Sequence, residues 1–314
     1  MNCSYVYSYD TKNPVETIPT DLPVFVMFDG YHALSHQIAL RDLHKYANLL
    51  DKNNINTKLY CVSYTVPDIC NTMSRKQKER IHLSTLFIKP KYFRRYIKNI
   101  SDIIIIPRIK SEQGKKLPVE VAEKNIRNIT LFAYSYGAHA VNCLCKNIHK
   151  RMKNLNYTDN EIARILKQLV IIAQSPVRIL YDKKFTTLNF VSAKDIRVLY
   201  SGAFKNVSKL TYYPEYNTMV QPQVFKDEYI LEKSKCKKDA EHILWEYGSD
   251  TNITDYKIIN LLRTALCDAA KSEPITENTS LLQSNSDYSV QHIKNYKFFD
   301  TKNIIKSCIK HIIR

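Results

Sequence analysis

Glycine, tryptophan and long apolar runs are all scarce in this sequence. Its 314 residues include five glycines and one tryptophan. No apolar run approaches the roughly 20 residues that a membrane-spanning helix needs, so we expect no transmembrane helix. Residues 1–20 are polar and contain Asp10 and Glu16, a composition unlike that of a secretory signal peptide.

Closely spaced cysteine pairs, of the kind that bind zinc, are also missing. The eight cysteines are scattered, and the nearest two, Cys143 and Cys145, are separated by a single residue. This spacing fits neither a zinc site nor a disulfide framework. Free thiols without a secretion signal are typical of a reducing compartment. The sequence therefore predicts a cytoplasmic protein with no metal and no cofactor.

Positive charge, by contrast, is abundant, with a formal net charge of +17. Such an excess can indicate binding to nucleic acid or to an anionic membrane surface. Here the lysines are spread among Asn, Ile and Tyr, as AT-rich coding sequence produces without selection for binding. One segment, residues 89–98, mixes bases with aromatics and is a candidate contact with an anionic surface, although a solvated helix face is the favoured interpretation. Its basic residues are Lys89, Lys91, Arg94, Arg95 and Lys98.

Apolar strand-like segments alternate with helical patterns along most of the chain. This alternation predicts an α/β protein whose mostly parallel central sheet is flanked by helices. We expect an N-terminal extension over residues 1–21, a core over 22–213 plus 287–314, and a helical or irregular insertion, a lid or cap, over 214–286. The predicted strands are 24–28, 57–64, 129–133, 169–173, 186–191 and 209–213, and the isoleucine run within 102–107 is a further candidate strand.

A serine follows the strand predicted at 129–133. In Ala133-Tyr134-Ser135-Tyr136-Gly137 it has a small residue two positions before it and another two positions after it, and a helical pattern begins next. This arrangement is typical of a nucleophile elbow, the sharp strand-to-helix turn that exposes a catalytic serine. The usual first glycine is replaced by Ala133. The alternative is that Ser135 is an ordinary polar residue in a strand-to-helix loop, or a helix N-cap.

A serine nucleophile needs a base and a carboxylate that orients the base. Asp195 follows the strand predicted at 186–191, at the sheet edge where Ser135 should emerge, although an ordinary loop aspartate would look the same. His292 lies in a loop ahead of a predicted final helix and is the favoured base. His242, in a helical pattern, is the alternative base, and a third reading assigns no histidine to catalysis.

An oxyanion hole would complete this set of residues. The backbone N–H that follows the nucleophile, that of Tyr136, is the first expected donor, and the turn after the first strand supplies the second, at Gly30 or Tyr31. The acidic residue Asp29 precedes that turn. Its charge is unfavourable beside a developing oxyanion unless the side chain points away.

Together these segments resemble the α/β-hydrolase fold superfamily, with its serine hydrolases of the esterase and lipase type. The resemblance rests on Asp29-Gly30, on residues 133–137, and on the chain order Ser135, Asp195, His292. It implies cleavage of an ester, thioester or amide in a small-molecule or lipid acyl substrate through an acyl-enzyme, or transfer of that acyl group. Two alternatives stay open: a non-catalytic binding protein of the same fold, and a basic protein that binds nucleic acid or a membrane surface.

Overall fold

The chain forms an α/β structure around one mostly parallel sheet. A computed structural model describes residues 6–30, 36–63, 90–177, 179–180, 182–195, 209–213, 217–222, 257–275 and 289–290. Within these ranges the sheet has nine strands. In chain order they are β1 (Val6–Ser8), β2 (Val24–Phe28), β3 (Lys58–Val62), β4 (Ile129–Tyr134), β5 (Val170–Gln174), β6 (Thr186–Ser192), β7 (Thr211–Tyr213), β8 (Thr218–Gln221) and β9 (Ser289–Val290).

The central strands of this sheet are parallel and the edges are mixed. The spatial order is β1-β3-β2-β4-β5-β6-β8-β7-β9. Neighbouring strands from β3 through β8 in that order run parallel, whereas β1 is antiparallel to β3 and β7 is antiparallel to β8. Parallel neighbours require crossover connections, and helices supply most of them. The expectation of a mostly parallel sheet flanked by helices is confirmed.

Seven helices are formed by the described residues. They are α1 (His36–Lys52), α2 (Pro90–Ile104), α3 (Ile106–Ile109), α4 (Val119–Arg127), α5 (Gly137–Asn154), α6 (Asp159–Lys167) and α7 (Lys257–Ala270). Helix α6 begins with a capping box, in which the Thr158 hydroxyl accepts from the Glu161 backbone N–H and the Glu161 carboxylate accepts from the Thr158 N–H. The backbone hydrogen bond lowers the pKa of Glu161.

The helices cover both faces of the sheet, and a separate apolar core fills each face. Alternate residues of a strand point to opposite faces, so Val24, Val26 and Phe28 of β2 join the core under α2–α6. Phe25 and Met27 join the core under α1 and α7. Burial on both faces explains why the central strands are continuously apolar in sequence.

The isoleucine run is helical, so the strand expected there is wrong. Ile103 and Ile104 end α2, and Ile106 begins α3. All four isoleucines of 103–106 are buried in the core under α2–α6. In a short run of apolar residues, hydrophobicity shows neither a helical nor a strand period. A buried helix end and a buried strand therefore cannot be told apart from such a run.

Parts of the two segments expected outside the core belong to the sheet and its cover. Strand β1, in the expected N-terminal extension, pairs with β3. In the expected insertion over 214–286, β8 extends the sheet beside β6 and α7 packs against β4 and β5. Residues 214–216, 223–256 and 276–286 of that insertion, and the predicted final helix, lie outside the described residues.

No helix in the described part of the chain is long and apolar enough to cross a bilayer.

Helix α5 begins in direct contact with the end of β2. A Cβ atom added to Gly137 would lie 1.9 Å from the carbonyl oxygen of Phe28 and 3.0 Å from that of Asp29. Both atoms belong to the backbone and cannot rotate away. Glycine at position 137 is therefore a steric requirement of this helix-to-strand contact.

We expect Gly137→Ala to lower the free energy of unfolding by about 3 kcal/mol, near the upper end of overpacking effects because the clash is with backbone. Urea denaturation monitored by circular dichroism measures this loss.

Gly114→Ala is the matched control. Gly114 has a φ of +84°, and its added Cβ would meet only the flexible Lys110 side chain, at 3.6 Å. We expect that substitution to cost about 1 kcal/mol from backbone strain. Equal losses in the two variants would contradict the steric account of Gly137.

Candidate active site

Several polar residues lie together at the carboxyl edge of the parallel sheet. Asp29 follows β2, Ser135 follows β4 and Ser175 follows β5. The register aligns these strand ends, with Phe28 opposite Ala133 and Tyr134 opposite Gln174. In parallel α/β sheets this edge is where ligands bind.

Ser135 has the strained backbone of a sharp strand-to-helix turn. Its φ is +51°, a left-handed value that residues with a Cβ rarely adopt. Its N–H donates to the Gln174 carbonyl at 3.1 Å, and its carbonyl accepts from the Val177 N–H at 3.1 Å. The residue is 4% exposed. Hydrogen bonds from the neighbouring strand end therefore hold the strained conformation of this strand-to-helix turn, called the elbow.

The residues that flank Ser135 satisfy the close packing of the turn. Gly137 touches the end of β2, as described above. Ala133 is fully buried in the core under α2–α6, so its methyl group is accommodated where the usual motif has glycine. Tyr136 is also buried, and burial raises the pKa of its phenol.

The Gly30 N–H, one of the two expected second oxyanion donors, makes a hydrogen bond to a neighbouring side chain. The Gly30 N–H donates to Oδ1 of Asp29 at 2.6 Å, and Asp29 is fully buried. Burial, together with the nearby charge of Asp29, raises the pKa of the Cys61 thiol on β3. Gly30 thus follows β2, the neighbour of the strand that Ser135 follows, and its N–H donates to a carboxylate oxygen. Tyr31, the other expected donor, is outside the described residues.

Asp195 lies at the same edge of the sheet, three residues after β6. It is fully buried in a turn in which its N–H donates to the Ser192 carbonyl at 3.1 Å. The Ala193 N–H ties this turn to the end of β8 by donating to the Gln221 carbonyl at 2.6 Å. The turn is therefore anchored to two strands, although nothing in its sequence distinguishes it from an ordinary loop.

The expected bases, His292 and His242, both lie outside the described residues. Another histidine, His139, is close to the elbow, on α5. Its ring packs on Tyr136, with the centroids 5.4 Å apart, and its Nε2 lies 3.8 Å from Sγ of Cys143. The described residues thus bring together Ser135, Gly30 and Asp29, and they place Asp195 on the same edge.

Sequence reasoning did not select Ser175, the residue that follows β5. Its φ is +45°, and it is fully buried. Because β5 neighbours β4, Ser175 sits beside the elbow. The Ser175-Pro176 pair after an apolar strand was a signal for a strand end, but a positive φ leaves no trace in sequence when the residue is not glycine.

The basic segment at 89–98 is partly described. Arg95 and Lys98 are exposed on α2, whereas Tyr96 and Ile97 between them are buried in the core. Side chains of Lys89, Lys91 and Arg94 lie outside the described part. An exposed basic face over a buried apolar one is the pattern of an ordinary surface helix.

In the described ranges, no group of three or more His, Cys, Asp or Glu side chains is arranged to hold a metal ion. Comparison of the sequence with protein-family models and with curated proteins finds no match.

The strain at Ser135 predicts an order of stability among variants. We expect Ser135→Gly to be more stable than Ser135→Ala by about 1 kcal/mol, because only glycine adopts a positive φ without a Cβ clash. Urea denaturation of the two variants measures the difference.

Ala138→Gly, in the first turn of α5, controls for the intrinsic effect of glycine. We expect it to lose about 1 kcal/mol relative to the native alanine, the opposite sign. If glycine destabilises position 135 relative to alanine as well, the elbow conformation is not the one described.

Proposed function

We propose that this protein is a serine hydrolase with an α/β-hydrolase type of fold, which cleaves an ester, thioester or amide through an acyl-enzyme at Ser135. The observation that carries the proposal is the backbone of Ser135. Ser135 is not a glycine, yet its φ is +51°. It lies between a central parallel strand and a helix that must begin with glycine. A nucleophile elbow has this local structure.

The sheet topology supports this proposal. Ser135 follows β4, a strand with parallel neighbours on both sides, and the glycine turn follows the adjacent β2. Asp195 follows β6, two strands away on the other side. The order nucleophile, acid, histidine along the chain is that of the α/β-hydrolases.

The proposed reaction is acyl transfer in two halves. The base, His292 or alternatively His242, takes the proton of Ser135 as Oγ attacks the carbonyl carbon, and Asp195 orients the imidazole and stabilises its charged form. The Tyr136 N–H donates to the oxyanion. The leaving group departs with the proton from the imidazole, and water then attacks the acyl-enzyme by the same route and releases the acid.

The substrate class is an acyl compound, either a small molecule or a lipid. An acyltransferase would use the same residues and differ only in the acceptor that replaces water.

Covalent labelling tests the proposed nucleophile. We expect a fluorophosphonate probe to react with the folded 314-residue chain at one site, Ser135, because phosphonylation requires the activated hydroxyl of a serine hydrolase. Intact-protein and peptide mass spectrometry identify the site.

The variants His292→Ala and Asp195→Asn should slow this labelling by at least about 100-fold, since removing the base or its orienting group leaves an unactivated hydroxyl. His242→Ala distinguishes the two candidate bases: with His292 as the base it labels at the rate of the unmodified chain, and with His242 as the base the effects of the two histidine substitutions are exchanged. Labelling that persists in Ser135→Ala, or a folded chain that does not label, would contradict the proposal.

A second candidate function is a non-catalytic binding protein of the same fold. The carboxylate of Asp29 favours it, because Oδ1 accepts the hydrogen bond that Gly30 would otherwise donate to an oxyanion. A buried negative charge at that point opposes the formation of another.

The same contact predicts a gain of reactivity. We expect Asp29→Ala to raise the fluorophosphonate labelling rate of Ser135 by about 10-fold or more, because the freed Gly30 N–H becomes an oxyanion donor. Measured as a second-order rate constant, this separates the two candidates.

Asp29→Asn is the control for this variant, since it removes the charge but keeps an oxygen that accepts from Gly30. Its rate should lie between those of Asp29→Ala and the native chain. If neither the native chain nor Asp29→Ala labels while both are folded, the binding protein is the correct candidate.

A further inference from the structure

Cys143 and His139 lie one turn apart on the same face of α5. A spacing of four residues brings side chains of a helix together, and Sγ of Cys143 is 3.8 Å from Nε2 of His139. Both residues are half-buried. The thiol therefore has a base beside it and is partly open to solvent.

A second contact orients the imidazole of His139. Its ring packs against the ring of Tyr136, with the centroids 5.4 Å apart. Burial, and to a smaller extent the nearby Cys143, raise the pKa of the Tyr136 phenol well above its ordinary value. This phenol is therefore uncharged at neutral pH and does not repel a thiolate. The three side chains form one cluster at the start of α5.

The other cysteines that the structure describes have a different environment. Cys61, Cys145 and Cys267 are buried, and burial is the largest cause that raises the pKa of each of these thiols. The thiolate is the nucleophilic form of cysteine, so buried thiols of this kind are inert. Cys143 is more exposed than these three, and Lys146, three residues further along α5, is an exposed positive charge near it.

We propose that Cys143 is a modification site that exchanges with small disulfides, with His139 as the base. The proposal does not require Ser135 to be reactive. Nε2 of His139 accepts the proton of Sγ, and the thiolate attacks one sulfur of the disulfide. A bond forms between Sγ and that sulfur while the original disulfide bond breaks. The departing thiolate takes up the proton from the imidazolium, so Cys143 is oxidised to a mixed disulfide and half of the small molecule is reduced to a thiol.

Reaction with bis(2-hydroxyethyl) disulfide tests the site. The folded 314-residue chain is treated at neutral pH, the remaining thiols are blocked with N-ethylmaleimide in denaturant, and tandem mass spectrometry of tryptic peptides locates each adduct. We expect Cys143 to react at least about 10-fold faster than Cys61, Cys145 or Cys267, because burial protects those thiols. Cys143 and Cys145 lie in the same tryptic peptide, so fragment ions compare them directly.

Two substitutions of His139 test its role as the base. His139→Phe keeps an aromatic ring to pack on Tyr136 and removes the nitrogens, and His139→Gln keeps a polar side chain that is not basic. We expect both to slow the modification of Cys143 about fivefold, since a neighbouring imidazole increases the thiolate fraction. His149→Phe is the matched control. It replaces another half-buried histidine, on a different face of α5, and should react at the native rate.

Two results would overturn the proposal, and circular dichroism establishes that each variant is folded. One is a Cys143 that reacts no faster than the three buried cysteines of the native chain. The other is a native rate in both His139→Phe and His139→Gln, because His139 would then not act as the base. A loss of rate in His149→Phe equal to that in His139→Phe would also contradict it, since the effect would not come from the contact with Cys143.

Discussion

The contact between the start of α5 and the end of β2 is the constraint on which the rest of the site depends. With 1.9 Å between a hypothetical Cβ at 137 and the Phe28 carbonyl oxygen, only glycine allows the helix to approach this closely. The approach fixes the direction in which the chain leaves β4, and so forces the sharp turn at Ser135. It also brings the backbone of Asp29 against the start of α5, beside Gly30, where the proposed function needs a second oxyanion donor.

Asp29 makes this site different from a simple elbow with a glycine turn. A fully buried carboxylate next to the elbow increases the negative potential, an effect also felt by Cys61, whose pKa is raised by burial and by that charge. Formation of an oxyanion at Ser135 would add a second negative charge nearby. In the proposed function, the reactivity of Ser135 therefore depends on whether the Gly30 N–H donates to Asp29 or to the oxyanion.

Much of the fold can be predicted from the sequence, because the central strands are buried on both faces and read as unbroken apolar runs. Strand β2 lies where its apolar run places it, and β4 extends the predicted 129–133 by one residue. The isoleucines at 103–106 were misjudged because burial on all sides removes the periodicity that separates helix from strand. Strand β8 and helix α7 fall within the predicted insertion although both pack on the core, because polar residues flank them in the sequence.

The candidate site could be predicted only in outline. Sequence spacing indicates which residues follow parallel strands, and so selects Ser135 and Asp195. Sequence spacing does not predict the positive φ of Ser175 or the acceptor to which the Gly30 N–H donates, since both depend on tertiary packing.

A crystal structure of the chain after treatment with a fluorophosphonate tests the central claim most directly. The account predicts phosphorus bonded to Oγ of Ser135, a phosphonyl oxygen that accepts from the Tyr136 N–H, and an imidazole between Ser135 and Asp195. Phosphorus bonded to another residue, or an unmodified Ser135 whose φ is negative, would contradict it.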